Sequence, residues 1–574
     1  MSDRERVEED EKAGKAGREG RAASVIGVLG AGTMGAGIAQ LACRSGARTL
    51  LFDPISSALE GGLERARAGL RKEAERGRLT AEDAEDAAGR LQAVAELEAF
   101  APCELVIEAV PERLDLKHEL YARLEEIVDG RCVLATNTSS LLVTAIAAAV
   151  SDPERVVGMH FFNPAPLMRL LEVVAGERSS EQALALAHAT GEAMGKTVIR
   201  AADGPGFLVN RCNRPFGLEA LRLAQERLAD IETIDRVCRL EGGFRMGPFE
   251  LMDLVGVDTG FEISKSFFAQ SFGEPRWRPS PITARYVAAG MYGRKSGRGY
   301  YEYSDPSHPH RPDDPAPIDT STPVRGEGVV IVSGGGVIAD ELRAAATQAG
   351  YEVRAPHAPT GGVLPALVLD CERRPDRSEI GRRGRGAPLE DGAPDRRGTP
   401  PAPQGGARLL LCAHGSLGSL DPDGSAVGFH VLPPLKDAGL VELTRGESSS
   451  PLAAGRAERF FAALGKHVAW VGDAPGLVLG RIVCQVINES AFALGEGVGA
   501  ARDIDLGMVL GLSHPRGPFE WADAIGLDHV LTVLESLCEE YREERYRPAP
   551  LLRRLVRMGR LGVSTGAGFF DYEE

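Results

Sequence analysis

Nowhere in the 574 residues does an apolar run approach the eighteen or so residues that cross a bilayer, which excludes a helical membrane span and predicts no membrane partner. The N-terminus, Met1 to Arg21, mixes acids and bases with Ala and Gly and has no apolar h-region. It is therefore no signal peptide, and a disordered tail is expected over 1–23. The nine cysteines include no CxxC pair, which argues for reduced thiols in a cytoplasmic protein and against structural zinc; no metal site is expected. Positive charge is also scarce: 66 Lys and Arg against 82 Asp and Glu leave a net charge of −16, which disfavours nucleic acid as a partner. Any anionic ligand must then be held by local devices such as helix N-termini and small basic patches.

The chain is too long for a single core, and its 43% apolar content with 69 glycines is ordinary globular composition. Ser24 to Leu29 is a short apolar run, followed by Gly30-Ala31-Gly32-Thr33-Met34-Gly35 and a helical stretch to about Arg44. Strand, glycine turn and helix in this order suit a dinucleotide. Gly30 makes the tight turn, Gly32 lets the backbone approach a pyrophosphate, and Gly35 lets helix pack on strand. A second strand, Thr49 to Phe52, ends in Asp53, an acid placed to bind ribose hydroxyls and repel a 2′-phosphate, favouring NAD over NADP. A glycine turn in a Rossmann-like fold without a dinucleotide is the other reading. Two helical segments follow over Ser56 to Glu85, and Arg65, Lys72 and Arg76 share one helical face. That face is either a seat for a phosphorylated ligand or a solvated charged surface.

Buried-looking strands at Glu104 to Val110 and Cys132 to Thr136 flank a helix from about Leu114 to Val128. The second ends in Asn137-Thr138-Ser139-Ser140, polar groups that either face the ligand beyond the strand ends or cap the next helix. His160 and Glu172 lie twelve residues apart, with Asn163, Pro164 and Pro166 between them to fold the chain back. An imidazole titrates near neutrality and a carboxylate on its far nitrogen fixes the tautomer, so the pair suits a general base. A core histidine beside a solvated glutamate is the bland alternative. A helix over about Ser180 to Met194 and a strand at Thr197 to Arg200 lead to a largely helical region with Asn210 at its entry, ending in a strand-like Tyr300 to Tyr303.

The segments GAGTMGAGIA, Asp53, NTSS, GMHFFNP, LEVV, PGFLVNR and MGPFELMD, collinear over Ser24 to Tyr303, resemble the 3-hydroxyacyl-CoA dehydrogenase family. The resemblance implies NAD-dependent, reversible oxidation of an L-3-hydroxyacyl-CoA to the 3-oxoacyl-CoA, in fatty acid β-oxidation or a phenylacetate-type degradation. It makes His160 the catalytic base and Glu172 its orienting partner, with Ser139 and Asn210 touching the substrate oxygen. It puts Asn137, Glu112 and Lys117 near the nicotinamide and its ribose, Thr33 and Met34 in the cofactor turn, and coenzyme A on the Arg65, Lys72 and Arg76 face. The family's frequent serine in that face is Gly69 here.

The second half repeats the first at an offset of 270: His430 answers His160, Glu442 answers Glu172, and Gly517-Pro518-Phe519-Glu520 answers Gly247-Pro248-Phe249-Glu250. Chemical positions are worn. Asn210 is matched by Gly480, the acid of the second strand by His357, and Gly334, Gly336 and Ala339 keep only a trace of the glycine turn. His430 with Glu442 reads as a buried polar pair kept for packing. The expected architecture is an α/β Rossmann domain plus an all-helical C-terminal domain, duplicated, with the second Rossmann domain reduced. The boundaries are 24–203 NAD-binding, 204–303 helical, 304–325 linker, 326–472 reduced Rossmann with a disordered loop at 373–406, and 473–574 helical. The Arg-, Pro- and Gly-rich 373–406 is read as that loop, its charge too diluted by acids for an RNA-binding segment. The layout resembles the long bacterial members of the family, of the 3-hydroxybutyryl-CoA and 3-hydroxyadipyl-CoA dehydrogenase kind. The second helical domain is expected to stand in for a dimer partner within the chain, a pseudo-dimer that can still assemble as a homo-oligomer.

Overall fold

The computed structural model describes residues 20–305, 310–318, 326–356, 364–375, 407–422 and 424–572. His357, residues 376–406 of the expected loop and most of the N-terminal tail lie outside them. Gly20 to Ala23, assigned to that tail, are placed: the Ala23 N–H donates to Thr190 Oγ1, and Arg21 pairs with Glu104. The chain forms two units, Met1–Arg211 with Glu496–Ser513, and Cys212–Gly495 with His514–Glu574.

The first unit is built on an eight-stranded sheet. Its strands are β1 (Val25–Leu29), β2 (Arg48–Phe52), β3 (Leu91–Ala93), β4 (Leu105–Glu108), β5 (Val133–Thr136), β6 (Val156–Phe161), β7 (Leu170–Ala175) and β8 (Thr197–Ala202). Their order is β3-β2-β1-β4-β5-β6-β7-β8. Helices Thr33–Arg44, Ser56–Glu75, Leu114–Ile127 and Glu181–Ala193 connect the strands. With helices on both faces the central strands are apolar throughout rather than alternating, and β4, β5 and β6 are buried along their length. The periodicity that marks the two helices after β2 gives no sign of β3, three residues long, which follows them. Only β7 runs against its neighbour β6, because the proline turn between them reverses the chain; this sets His160 opposite Glu172.

β8 is the sheet's last strand, and an open edge needs cover. The cover comes from far down the chain. The Ala202 N–H donates to the Val498 carbonyl at 2.8 Å, and helix Ala501–Leu512 lies close against the strands, where Gly507 faces Val209 and Ile199, and Gly511 faces Leu170 and Phe162.

The second unit holds a seven-stranded sheet: β9 (Val329–Ser333), β10 (Glu352–Arg354), β11 (Leu367–Asp370), β12 (Ala407–Leu411), β13 (Val427–His430), β14 (Leu440–Arg445) and β15 (His467–Trp470). Its order, β10-β9-β11-β12-β13-β14-β15, follows the first sheet's without a counterpart of β3. The rest is helical, chiefly Arg214–Gln225, Ile231–Leu240, Val257–Gln270, Leu479–Gly495 and Leu527–Tyr541. Tyr300 to Tyr303 is no strand: the N–H groups of Tyr300 and Tyr301 go to the Asp253 carboxylate, leaving an isolated bridge from Arg298 to Glu302. Part of the expected linker is fastened, since His310 and Arg311 pair with Glu250, and Asp314 with Arg239. Among the described residues no helix is long and apolar enough to cross a membrane, and no group of three or more His, Cys, Asp or Glu could hold a metal ion.

Candidate active site

The site gathers at the carboxyl ends of the first sheet. His160, next to last in β6, is 6% exposed, and its Nδ1 lies 2.6 Å from Glu172 Oε2. If the carboxylate is ionised it can only accept, so Nδ1 carries the proton and Nε2 is left with a lone pair. Glu172 is fully buried, and its other oxygen accepts the backbone N–H groups of Leu208 at 3.2 Å and Val209 at 3.0 Å. The rings of Phe162 and Phe207 pack at 4.7 and 5.7 Å from the imidazole. Three segments thus hold one side chain, and Asn210 follows Val209 directly at the start of the next helix.

Glu112 follows β4 and gathers the NTSS segment. Its Oε1 accepts from Thr138 Oγ1 at 2.8 Å and from the Ser139 N–H at 2.7 Å. Burial works against its charge, but Lys117 and these hydrogen bonds hold its carboxyl below the usual range. Lys117 is itself buried, with Nζ 2.8 Å from both oxygens of Glu108 and 3.2 Å from Glu112. The sequence reading did not single out Glu108; an acid ending the otherwise apolar β4 was the available signal. Asn137 Oδ1 accepts the Phe161 N–H at 2.8 Å, fixing β5 against the residue after His160. The alternative in which Ser139 or Ser140 caps the next helix does not hold: the carboxylate of Asp203 takes that place, accepting from Val143 and Thr144.

The glycine turn fits a dinucleotide. Gly30 has φ +96°, and a Cβ there would press on the Ala109 carbonyl oxygen at 2.7 Å. On Gly35 a Cβ would collide with the Gly30 carbonyl. On Gly32 it would meet nothing within 4 Å, so the backbone before helix Thr33–Arg44 borders open space. Thr33 and Met34 begin that helix. Asp53 is held at the end of β2 by the N–H groups of Ala31 and Ile55. Of the basic face, Arg65, Lys72 and Arg76 are all exposed, and Arg65 also donates to the Ala31 carbonyl at 2.7 Å. Gly69 faces Gln40, whose amide fills the space a side chain would need.

A nucleotide-binding sheet with a carboxylate-oriented imidazole at its edge is the layout of a dinucleotide-dependent dehydrogenase of hydroxyl groups. Residues 25–204 match the model of the 3-hydroxyacyl-CoA dehydrogenase NAD binding domain, and residues 206–303 and 476–572 each match that of the 3-hydroxyacyl-CoA dehydrogenase C-terminal domain. The chain is 34% identical to 3-hydroxyadipyl-CoA dehydrogenase of Escherichia coli K12 over 531 residues, 92% of this chain and 96% of that protein. It is 40% identical to a probable 3-hydroxybutyryl-CoA dehydrogenase of Deinococcus radiodurans over 48% of this chain and 98% of the other. The crystal structure of an Escherichia coli K12 3-hydroxybutyryl-CoA dehydrogenase superposes with a TM-score of 0.74 at 31% identity, covering 94% of this chain and all of that one. The chain belongs to the 3-hydroxyacyl-CoA dehydrogenase family. Its cofactor is NAD and its activity that of an NAD-dependent dehydrogenase.

Proposed function

We propose that the site oxidises the hydroxyl of an L-3-hydroxyacyl-CoA reversibly, with His160 as general base. The observation that carries the assignment is the 2.6 Å contact from His160 Nδ1 to the buried Glu172, which leaves Nε2 as the proton acceptor. Bound NAD supplies the hydride acceptor. As C3 gives up hydride, Nε2 takes the hydroxyl proton, and Glu172 balances the resulting imidazolium. Asn210 and Ser139 donate to the oxygen as it becomes a carbonyl, and in the reverse direction hold the charge that develops there. Asp53 takes the ribose hydroxyls, Asn137, Glu112 and Lys117 shape the nicotinamide side, and coenzyme A lies along the face of Arg65, Lys72 and Arg76. NADH oxidation with acetoacetyl-CoA, run beside free acetoacetate, tests this: turnover should need the thioester. Equal rates on the free acid would overturn the assignment. The name of the Escherichia coli relative makes a 3-oxoacyl-CoA with a terminal carboxylate the next substrate to try.

The two halves are, in this reading, duplicated copies, with boundaries as set out above. The helical domain from Asp473 takes a dimer partner's place against the domain that ends at Tyr303. Support comes from Arg481, fully buried, with its guanidinium 2.6 Å from Glu219 and 2.8 Å from Glu226. Arg481→Met should lower stability by about 3–5 kcal/mol, since it strands the buried Glu219 carboxylate. A melting temperature unchanged from the parent would count against the pseudo-dimer.

A further inference from the structure

A cavity of about 200 Å³ lies at the carboxyl ends of β9, β11 and β12, within the unit formed by Cys212–Gly495 and His514–Glu574. It occupies in the second sheet the place that the dinucleotide cleft has in the first. Three of its features concern what it could hold.

The backbone borders open space there. Gly334 and Gly336 have φ +94° and +88°, and a Cβ on Gly335 or Gly336 would meet nothing within 4 Å. Helix Val337–Gln348 starts directly after them, twelve residues long, with its first N–H groups free of intrahelical partners. The charge of the walls is reversed relative to the first sheet. Glu108 pairs with Thr136 across β4 and β5, and Asp370 pairs with Leu410 across β11 and β12. With the sheets registered on those pairs, Arg374 stands where Glu112 does, and His414 where Ser140 does. The acid that gathers the first site is thus a guanidinium in the second, and a hydroxyl is an imidazole.

A third basic group, His529, also lines the cavity, and its Nε2 lies 3.2 Å from Nε2 of the fully buried His430. One of these nitrogens must donate to the other, and His430 Nδ1 is left without a hydrogen-bond partner. Such a pair can change tautomer to offer an N–H to an incoming acceptor. The Cys371 thiol, pushed up to about 12 by burial, adds no charge, and Asp528, exposed, is the one acid in the lining. The space falls below the roughly 300–1,000 Å³ of drug-sized ligand sites and so suits a single anionic group rather than a dinucleotide.

We propose that this cavity is an anion site for one phosphate group, carried either as free phosphate or as the monoester of a nucleotide. Arg374 supplies a charge-assisted fork, His414 and His529 neutral donors, and the Gly335–Gly336 turn backbone N–H groups.

Titration calorimetry on the full chain tests it, in a phosphate-free buffer with saturating NADH so that the first cleft is filled, using inorganic phosphate in one arm and AMP in the other. One ion per chain is expected in at least one arm, with affinity reduced about tenfold by Arg374→Glu and turnover of acetoacetyl-CoA unchanged, because Arg374 lies outside the dehydrogenase site. Binding in the phosphate arm identifies free phosphate as sufficient; binding in the AMP arm alone identifies the nucleotide monoester. Absence of binding in both arms at about 10 mM, above the range of even a weak millimolar site, would overturn the proposal. So would equal affinity in Arg374→Glu, which is exposed and should fold normally.

Discussion

Glu172 and Glu442 occupy equivalent strand positions, and each accepts two backbone N–H groups from the segment that enters a helix: Leu208 and Val209 both on one oxygen of Glu172, Val478 and Leu479 on one oxygen each of Glu442. Their partners differ. Glu172 faces His160, whereas His430, paired with Glu442 in strand register, turns its ring toward His529. The sequence reading that made His430 and Glu442 a polar pair is therefore corrected. The cause is visible at Gly480, the position of Asn210: a Cβ there would collide with the His430 ring, lying 2.8 Å from its Nδ1. The glycine leaves the space that the histidine ring fills. Opposite Glu442 now stands Glu241, where the equivalent residue on the first sheet is Gly511, packed on Phe162. Backbone hydrogen bonds preserve a fold's carboxylate, but the chemistry belongs to the neighbours that orient it.

The comparison is broken most sharply at the histidines. His160→Gln should cut turnover by about a thousandfold, as expected for loss of a general base, with NADH still bound. His430→Gln should leave the rate unchanged. A comparable loss from both substitutions would mean that the second sheet carries chemistry, and loss of NADH binding in His160→Gln would mean that the residue shapes the cofactor site instead.

Placing asparagine at position 480, which lies opposite Asn210 in the offset of 270, sharpens the contrast. Gly480→Asn should create no second active site and should destabilise by about 1–3 kcal/mol, because the new side chain overlaps the buried His430 ring. Removing the obstacle with His430→Ala in the same chain should recover much of that loss in the melting temperature. A single variant as stable as the parent would show that the ring has another place to go.

Much of this was legible in the residues. The glycine turn and the His160 and Glu172 pairing through a proline turn follow from local pattern, the second joining residues only twelve positions apart. What escaped depends on distant segments. Asp203 caps the helix at Val143 from sixty residues away, and the cover for β8 arrives from residue 498. No periodicity announces such contacts. The turning of His430 was hidden for the same reason: its new partner is His529, ninety-nine residues on, and the glycine that makes room for it looks in the sequence like simple decay.

The smallest effect isolates the carboxyl that faces Glu442, Glu241. Glu241 is buried, and burial together with the neighbouring Glu442 pushes its carboxyl well above the usual range. A group whose folded value is raised stabilises the fold below its ordinary value near 4.5, and that contribution is lost as pH rises toward the folded value, because the unfolded chain releases its proton first. The buried histidines act in the other direction. Burial holds His529 near 4 and His514 near 3, so their contribution is complete above 6.5 and is lost only as pH falls below it. Between pH 6.5 and 8 the histidine contribution is flat and the carboxyl cost remains. Glu241→Gln, which keeps the shape and removes the ionisation, should therefore raise the melting temperature more at pH 8 than at pH 5. An equal gain at both would trace the effect to packing, and the pairing of two carboxyls in the second sheet would then have no bearing on its stability.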